Sequence, residues 1–158
     1  MKNTVLILNG AGLADFSGYD KKAYGELTLE GIRGDCHRLC EELGLDLDFR
    51  QTDDQDELFR WIAKDSADFG GVIINPVGYS SSASESGELY RSALKMVAHL
   101  KRPVIEVRIA NIYRHVSEFR QPLHEPEGNM GFICGFGRPG YLLAIKAIAK
   151  KLDQQIAT

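Results

Sequence analysis

Five short apolar runs alternate along the chain with longer segments whose apolar residues recur at helical spacing. No other feature narrows the available folds as much. The runs are residues 3–8, 45–51, 71–75, 103–107 and 131–134. They are rich in leucine and β-branched residues and are mostly continuous rather than alternating. That pattern predicts strands covered on both faces, as in a parallel sheet. The helical patterns cover residues 28–43, 55–64 and 87–100, and a last segment begins at Pro139. Ile32, Cys36, Leu39, Cys40 and Leu43 share one face of the first, and Gly44 stands where a C-terminal cap belongs. Leu58, Phe59, Trp61 and Ile62 form the second stripe, and Leu89, Tyr90, Ala93, Leu94 and Val97 the third. Pro139 suits a first helical turn, ahead of Tyr141, Leu142, Ile145, Ile148 and Leu152.

Strand and helix alternating over 158 residues predict a three-layer α/β sandwich with five parallel strands. Right-handed crossovers and a reversal of strand order follow, and the expected arrangement is flavodoxin-like, order 2-1-3-4-5. No repeat, low-complexity tract or compositional break divides the chain, so residues 1–158 are read as one domain. The net charge of −3 argues against a nucleic-acid partner, which selects a basic excess or stripe. The apolar runs are too short to span a membrane, and no signal peptide is visible. Three cysteines are too few for a disulfide scaffold and odd in number, which fits a cytoplasmic protein.

Ligands of open α/β sheets bind beyond the carboxyl ends of the strands. Four segments follow those ends: residues 9–24, 52–56, 75–85 and 108–129. The first and last are long for a compact α/β domain, which suits a lid or binding surface, or else a tolerated insertion. Asn9-Gly10-Ala11-Gly12 lacks both GxGxxG and the Lys-Ser/Thr of a phosphate loop, so nucleotide binding has weak support. Residues 135–140 spell GxGxxG, but no βα unit follows them, and a tight strand-to-helix turn is the better reading. Cys36 and Cys40 fall on an apolar helix face and read as buried structural thiols, and Cys134 is expected in the core too. No metal or cofactor is expected.

The blocks 5–10, Tyr24-Gly25, 41–51, 73–76 with Tyr79, 103–107 with Asn111-Ile112, and 133–137 followed by 140–144 all fall in one register. Together they resemble type II 3-dehydroquinase, over essentially the whole chain. The resemblance implies cofactor-independent loss of water from 3-dehydroquinate, a small carboxylate, in a homo-oligomer of trimers, four of them making a dodecamer. It implies a lid tyrosine as base, which Tyr24 matches. Glu106 matches the glutamate that orients the catalytic acid, and Asn75 the asparagine that binds the substrate carboxylate. Ile109 and Ala110 occupy the carboxylate-binding loop, with Ala110 in place of a serine, and Arg120 matches an arginine contacting substrate hydroxyls.

Other positions depart from the family pattern. The enolate-stabilising asparagine is Gly12, the arginine that activates the tyrosine is Tyr19, and the histidine acid is Arg108. A second family histidine is Ser81, and His115 is not in register. A free phenol has a pKa near ~10, so a tyrosine base needs positive charge beside it. Lys21, Lys22 or Arg108 is the expected source. Arginine keeps its proton at neutral pH, so Arg108 cannot be a general acid; it can pair with Glu106 or bind an anion bidentately. Two functions are therefore expected to compete. One is a divergent lyase with Tyr24, Glu106 and Arg108 in its catalytic site. The other is a catalytically impaired relative that binds small carboxylates or regulates.

Overall fold

The computed structural model describes residues 2–10, 13, 16, 19–76, 85–112 and 130–157. Strands β1 (Thr4–Asn9), β2 (Asp46–Gln51), β3 (Gly71–Asn75), β4 (Val104–Arg108) and β5 (Met130–Cys134) are joined by helices α1 (Lys21–Tyr24), α2 (Leu29–Glu42), α3 (Gln55–Arg60), α4 (Glu85–Val97) and α5 (Pro139–Ile156). The sheet is parallel throughout, in the order β2-β1-β3-β4-β5. This is the flavodoxin-like order expected from the alternation.

The period of two along each strand sorts the core into two clusters. Val5, Ile7, Ile73, Ile105 and Val107 face α2 and α5, where they meet Ile32, Cys36, Tyr141, Ala144 and Ile148. Leu6, Leu8, Val72, Ile74 and Val104 face the opposite layer and meet Leu58, Ile62, Tyr90, Leu94 and Val97. Covering on both faces holds for β1, β3 and β4, whereas β2 and β5 are only partly buried. They are the sheet edges, where one side meets solvent whatever covers the faces.

Local chemistry sets the element ends. Thr28 caps α2 through its hydroxyl, which accepts from Gly31 N at 3.0 Å, and Gly44 follows at φ +69°, a conformation natural to glycine. Asp54 caps α3. The expected helix over 55–64 is α only to Arg60, then continues as a π turn (Trp61–Asp65) and a 3-10 turn (Ser66–Asp68). Arg50 sits beside that turn, paired with Asp65 at 2.6 Å and Asp48 at 2.8 Å, its guanidinium 5.4 Å from the Trp61 ring centre. Residues 21–24 carry no long apolar stripe, and α1 escapes a periodicity argument. Its cap is Asp20, which accepts from Lys22 N at 2.9 Å. No described helix is long and apolar enough to cross a membrane.

Candidate active site

The carboxyl ends of β1 and β3 lie side by side, with Asn9 and Asn75 in register. Both side chains point to the α5 layer and both are fully buried. A buried amide needs partners for its polar atoms, and Tyr141 on α5 supplies them. Its hydroxyl donates to Asn9 Oδ1 at 2.7 Å and accepts from Asn75 Nδ2 at 2.7 Å. Asn9 Nδ2 in turn donates to the Arg50 carbonyl at 3.0 Å. Burial raises the Tyr141 phenol far above its ordinary range, so it is a neutral hydrogen-bonding bridge. Asn75 is thereby held rigidly where β3 ends. Gly10 makes this packing possible: its N–H donates to the Asn75 carbonyl at 2.8 Å, and a Cβ on it would stand 2.4 Å from the Pro76 oxygen.

At the end of β4, Glu106 and Arg108 project to one face, as residues two apart on a strand must. Both are buried, at 2% and 3% exposure, and Arg108 Nη2 lies 3.4 Å from Glu106 Oε1. Tyr90 on α4 donates its hydroxyl to the same carboxylate oxygen. The pairing considered for Arg108 is thus present. A buried ion pair with a third hydrogen bond is the arrangement that offsets desolvation. Burial, then the Glu106 charge, holds the Tyr90 phenol well above its ordinary range, so it stays a donor. The Arg108 charge acts in the opposite direction on Tyr90, Tyr141 and Tyr19. Three phenols therefore stand in the field of one guanidinium.

Tyr24 ends α1 and reaches over the strand ends. Its hydroxyl accepts from the backbone N–H of Asn111 at 3.1 Å. Its ring meets that of Tyr19 edge-on, with centroids 6.4 Å apart. The sequence offers Lys21, Lys22 and Arg108 as the charge beside Tyr24. Lys21 pairs with Glu26 at 3.5 Å and Lys22 is exposed. Arg108 acts on Tyr19, whose pKa burial raises and Arg108 lowers. The donor that Tyr24 meets is a peptide dipole, because α1 lays its last residue across the β4 exit.

Three bonds tie that exit to the turn between β5 and α5. Gly135 N donates to the Arg108 carbonyl at 3.1 Å, Gly137 N to the Ile109 carbonyl at 3.0 Å, and Cys134 Sγ to the Ala110 carbonyl at 3.4 Å. Gly135 and Gly137 adopt φ +92° and +67°, so residues 135–140 form the tight turn read from the sequence. The Ile109 side chain is in the core and Ala110 is half-buried. Cys134, expected in the core, is only half-buried, because β5 is an edge strand. Arg138 anchors the lid side. It donates to Asp35 Oδ2 at 2.6 and 2.9 Å, to the Gly31 carbonyl at 3.0 Å and to the Glu26 carbonyl at 3.5 Å.

Tyr24, Asn75, Glu106, Arg108, Ile109 and Ala110 therefore all lie at the carboxyl ends of β1, β3 and β4 or in the segments just beyond. Arg120, Gly12, Ser81 and His115 lie outside the described residues. Tyr90, Tyr141, Asn9 and Asn111 join the site without having been given a role in it from sequence. For the two tyrosines a signal existed, since a tyrosine in the middle of an apolar helix stripe must satisfy its hydroxyl inside the core.

A family model for class II dehydroquinase matches residues 3–149. The chain belongs to the class II dehydroquinase family. The 3-dehydroquinate dehydratase of Mesorhizobium japonicum is 36% identical over 149 residues, which cover 94% of this chain and 99% of that protein. The crystal structure of type II dehydroquinase from Propionibacterium acnes matches with a TM-score of 0.74 and 31% identity, covering 95% of this chain and 98% of the other. A 3-dehydroquinate dehydratase-like protein from Bifidobacterium longum matches with a TM-score of 0.66 and 28% identity over the same shares. The family's flavodoxin-like sheet is the one described above.

Proposed function

We propose that the chain is a dehydratase that removes water from 3-dehydroquinate or a related cyclic hydroxy-carboxylate. Tyr24 takes a proton from the carbon beside the ketone, and the electron pair forms an enolate. The enolate collapses to an enone as the β-hydroxyl leaves as hydroxide, which combines with the abstracted proton as water. Asn75 and the Ile109–Ala110 backbone hold the carboxylate, with Arg120 on substrate hydroxyls. Arg108 is a fixed positive charge for the developing oxyanion, and Glu106 with Tyr90 holds it in place. The reading rests on the Tyr24 hydroxyl, which receives the Asn111 amide above the end of β4.

One observation favours a second reading. The position that the family resemblance gives to the acid holds Arg108, buried against Glu106, and a guanidinium does not release its proton at neutral pH. On this reading the chain binds a small carboxylate and turns it over poorly or not at all. The family resemblance supports a trimer-based homo-oligomer under either reading, and the free thiols Cys36, Cys40 and Cys134 fit a cytoplasmic setting.

The experiment is an enone-absorbance assay with 3-dehydroquinate, alongside calorimetry. Turnover that drops by about 10²–10⁴-fold in Tyr24→Phe supports the lyase. Turnover unaffected by Tyr24→Phe removes the mechanism, and saturable binding without turnover selects the second reading.

A further inference from the structure

The amino-terminal edge of the sheet, opposite the candidate active site, carries a groove of about 530 Å³. Lys2 and Asn3 lead into β1 there, Gly70 into β3 and Lys101-Arg102 into β4, while Leu152 and Ile156 come from the last turns of α5. A second cavity of about 440 Å³ shares Lys101, Arg102 and Gln155 and adds Lys151. Among the described residues neither has an acidic residue in its lining; Asp68 and Asp153, close by in sequence, stay outside. The Gln155 amide donates to the Lys101 carbonyl at 3.2 Å and ties α5 to the loop that bears the cations.

Charge is distributed unevenly in this acidic chain. Arg33, Arg38, Arg50, Arg60, Arg108 and Arg138 each form an ion pair. Arg102, half-buried, forms none among the described residues, and neither do Lys2, Lys101 or Lys151. Lys2, Lys101 and Arg102 therefore line the groove beside an apolar wall of Leu100, Leu152 and Ile156, and Lys151 lines the adjoining cavity. Ile156 is 80% exposed. A concave wall of this kind with a few charged groups at one end selects ligands that have a charged head and an apolar body. Arginine among lysines suits a planar or tetrahedral oxyanion.

We propose that this groove is a second ligand site, which binds a small anion with an apolar body. The anionic group sits between Arg102, Lys101 and Lys2, and the body lies on Leu100, Leu152 and Ile156. The site is separate from the one that holds Tyr24 and Arg108, since the two lie at opposite ends of the strands.

Phenyl phosphate is a suitable probe, titrated into the full chain by calorimetry and by backbone-amide NMR. The expected result is saturable binding that shifts the amides of Ala67, Leu152 and Ile156. Inorganic phosphate should bind more weakly, and benzyl alcohol not measurably. Arg102→Ala should weaken phenyl phosphate about tenfold or more, and Arg102→Glu further, with circular dichroism showing the fold retained. Tyr24→Phe should leave this binding unchanged. Affinity equal in the native chain and both Arg102 variants overturns the proposal, as do absent saturation and shifts confined to Asn75 and Ile109. A change of oligomeric state in Arg102→Glu, with no phenyl phosphate binding in the native chain, also overturns it and assigns the groove to a second copy.

Discussion

Tyr141→Phe removes a single oxygen atom, and the structure sets its cost. The ring stays, so the apolar packing of Tyr141 against the α2 face is kept. What is lost is the hydroxyl that donates to Asn9 Oδ1 and accepts from Asn75 Nδ2, each at 2.7 Å and each fully buried. Leaving a buried polar atom without its partner costs about 1–3 kcal/mol. Two such atoms, eased by sparing the phenol its own desolvation, bring the loss to roughly 2–4 kcal/mol. For a chain of this length each kcal/mol is worth about 2–4 °C, so the midpoint should fall by roughly 4–16 °C. Urea unfolding should show a lower midpoint at unchanged slope, since the same surface is exposed on unfolding. If Asn75 holds substrate, KM for 3-dehydroquinate should rise more than kcat falls, because the amide loses its support rather than its identity. A stability loss below about 0.5 kcal/mol would show that water or rearrangement replaces the hydroxyl, and that Tyr141 does not organise the strand ends.

Three further outcomes are expected. Arg138→Ala frees the Glu26 and Gly31 carbonyls and leaves Asp35 with Arg38 alone, so Tyr24-dependent turnover should fall while Arg138→Lys restores part of it; equal rates in both variants would show that the lid does not depend on this anchor. Arg108→His puts a group that can release a proton beside Glu106, and if the missing acid limits the rate, dehydroquinate turnover should rise by about 10²-fold or more in the enone assay. Burial, with a smaller push from Cys40, raises the Cys36 thiol from 9.0 to about 12, and burial, with Asp46, raises Cys40 from 9.0 to about 11. The folded chain keeps both thiols protonated where the unfolded chain has ionised them, so their stabilising contribution is complete below pH 9.0 and is lost as pH climbs toward 11 and 12. Chemical unfolding across that range should show the decline, and a thiol reagent at neutral pH should modify half-buried Cys134 well before Cys36 or Cys40.

The elements most legible in the sequence are those whose own chemistry defines them. Thr28 and Gly44 bracket α2 because a hydroxyl cap and a positive-φ residue act within one turn. Strand β3 matches its apolar run residue for residue, since both its faces are covered. The edges β2 and β5 read less well, because burial there depends on which strand lies alongside. Helix α1 is four residues long and shows no periodicity, and the π turn after Arg60 depends on tertiary contacts around Arg50.

The candidate site divides in the same way. Register with the family carried Tyr24, Asn75, Glu106, Arg108, Ile109 and Ala110 to the strand ends. It carried no information on their partners, because Tyr141 is 66 residues from Asn75 and Tyr24 is 87 residues from Asn111. The amino-acid order alone determined the strand–helix alternation and the substitutions at Gly12, Tyr19 and Arg108, since pattern and identity are local properties. The tertiary structure decided that Arg108 faces Glu106 and acts on Tyr19, and that the Tyr24 hydroxyl meets a peptide N–H. Electrostatics at a site depend on distances across the fold, and those exist only once the strands are laid side by side.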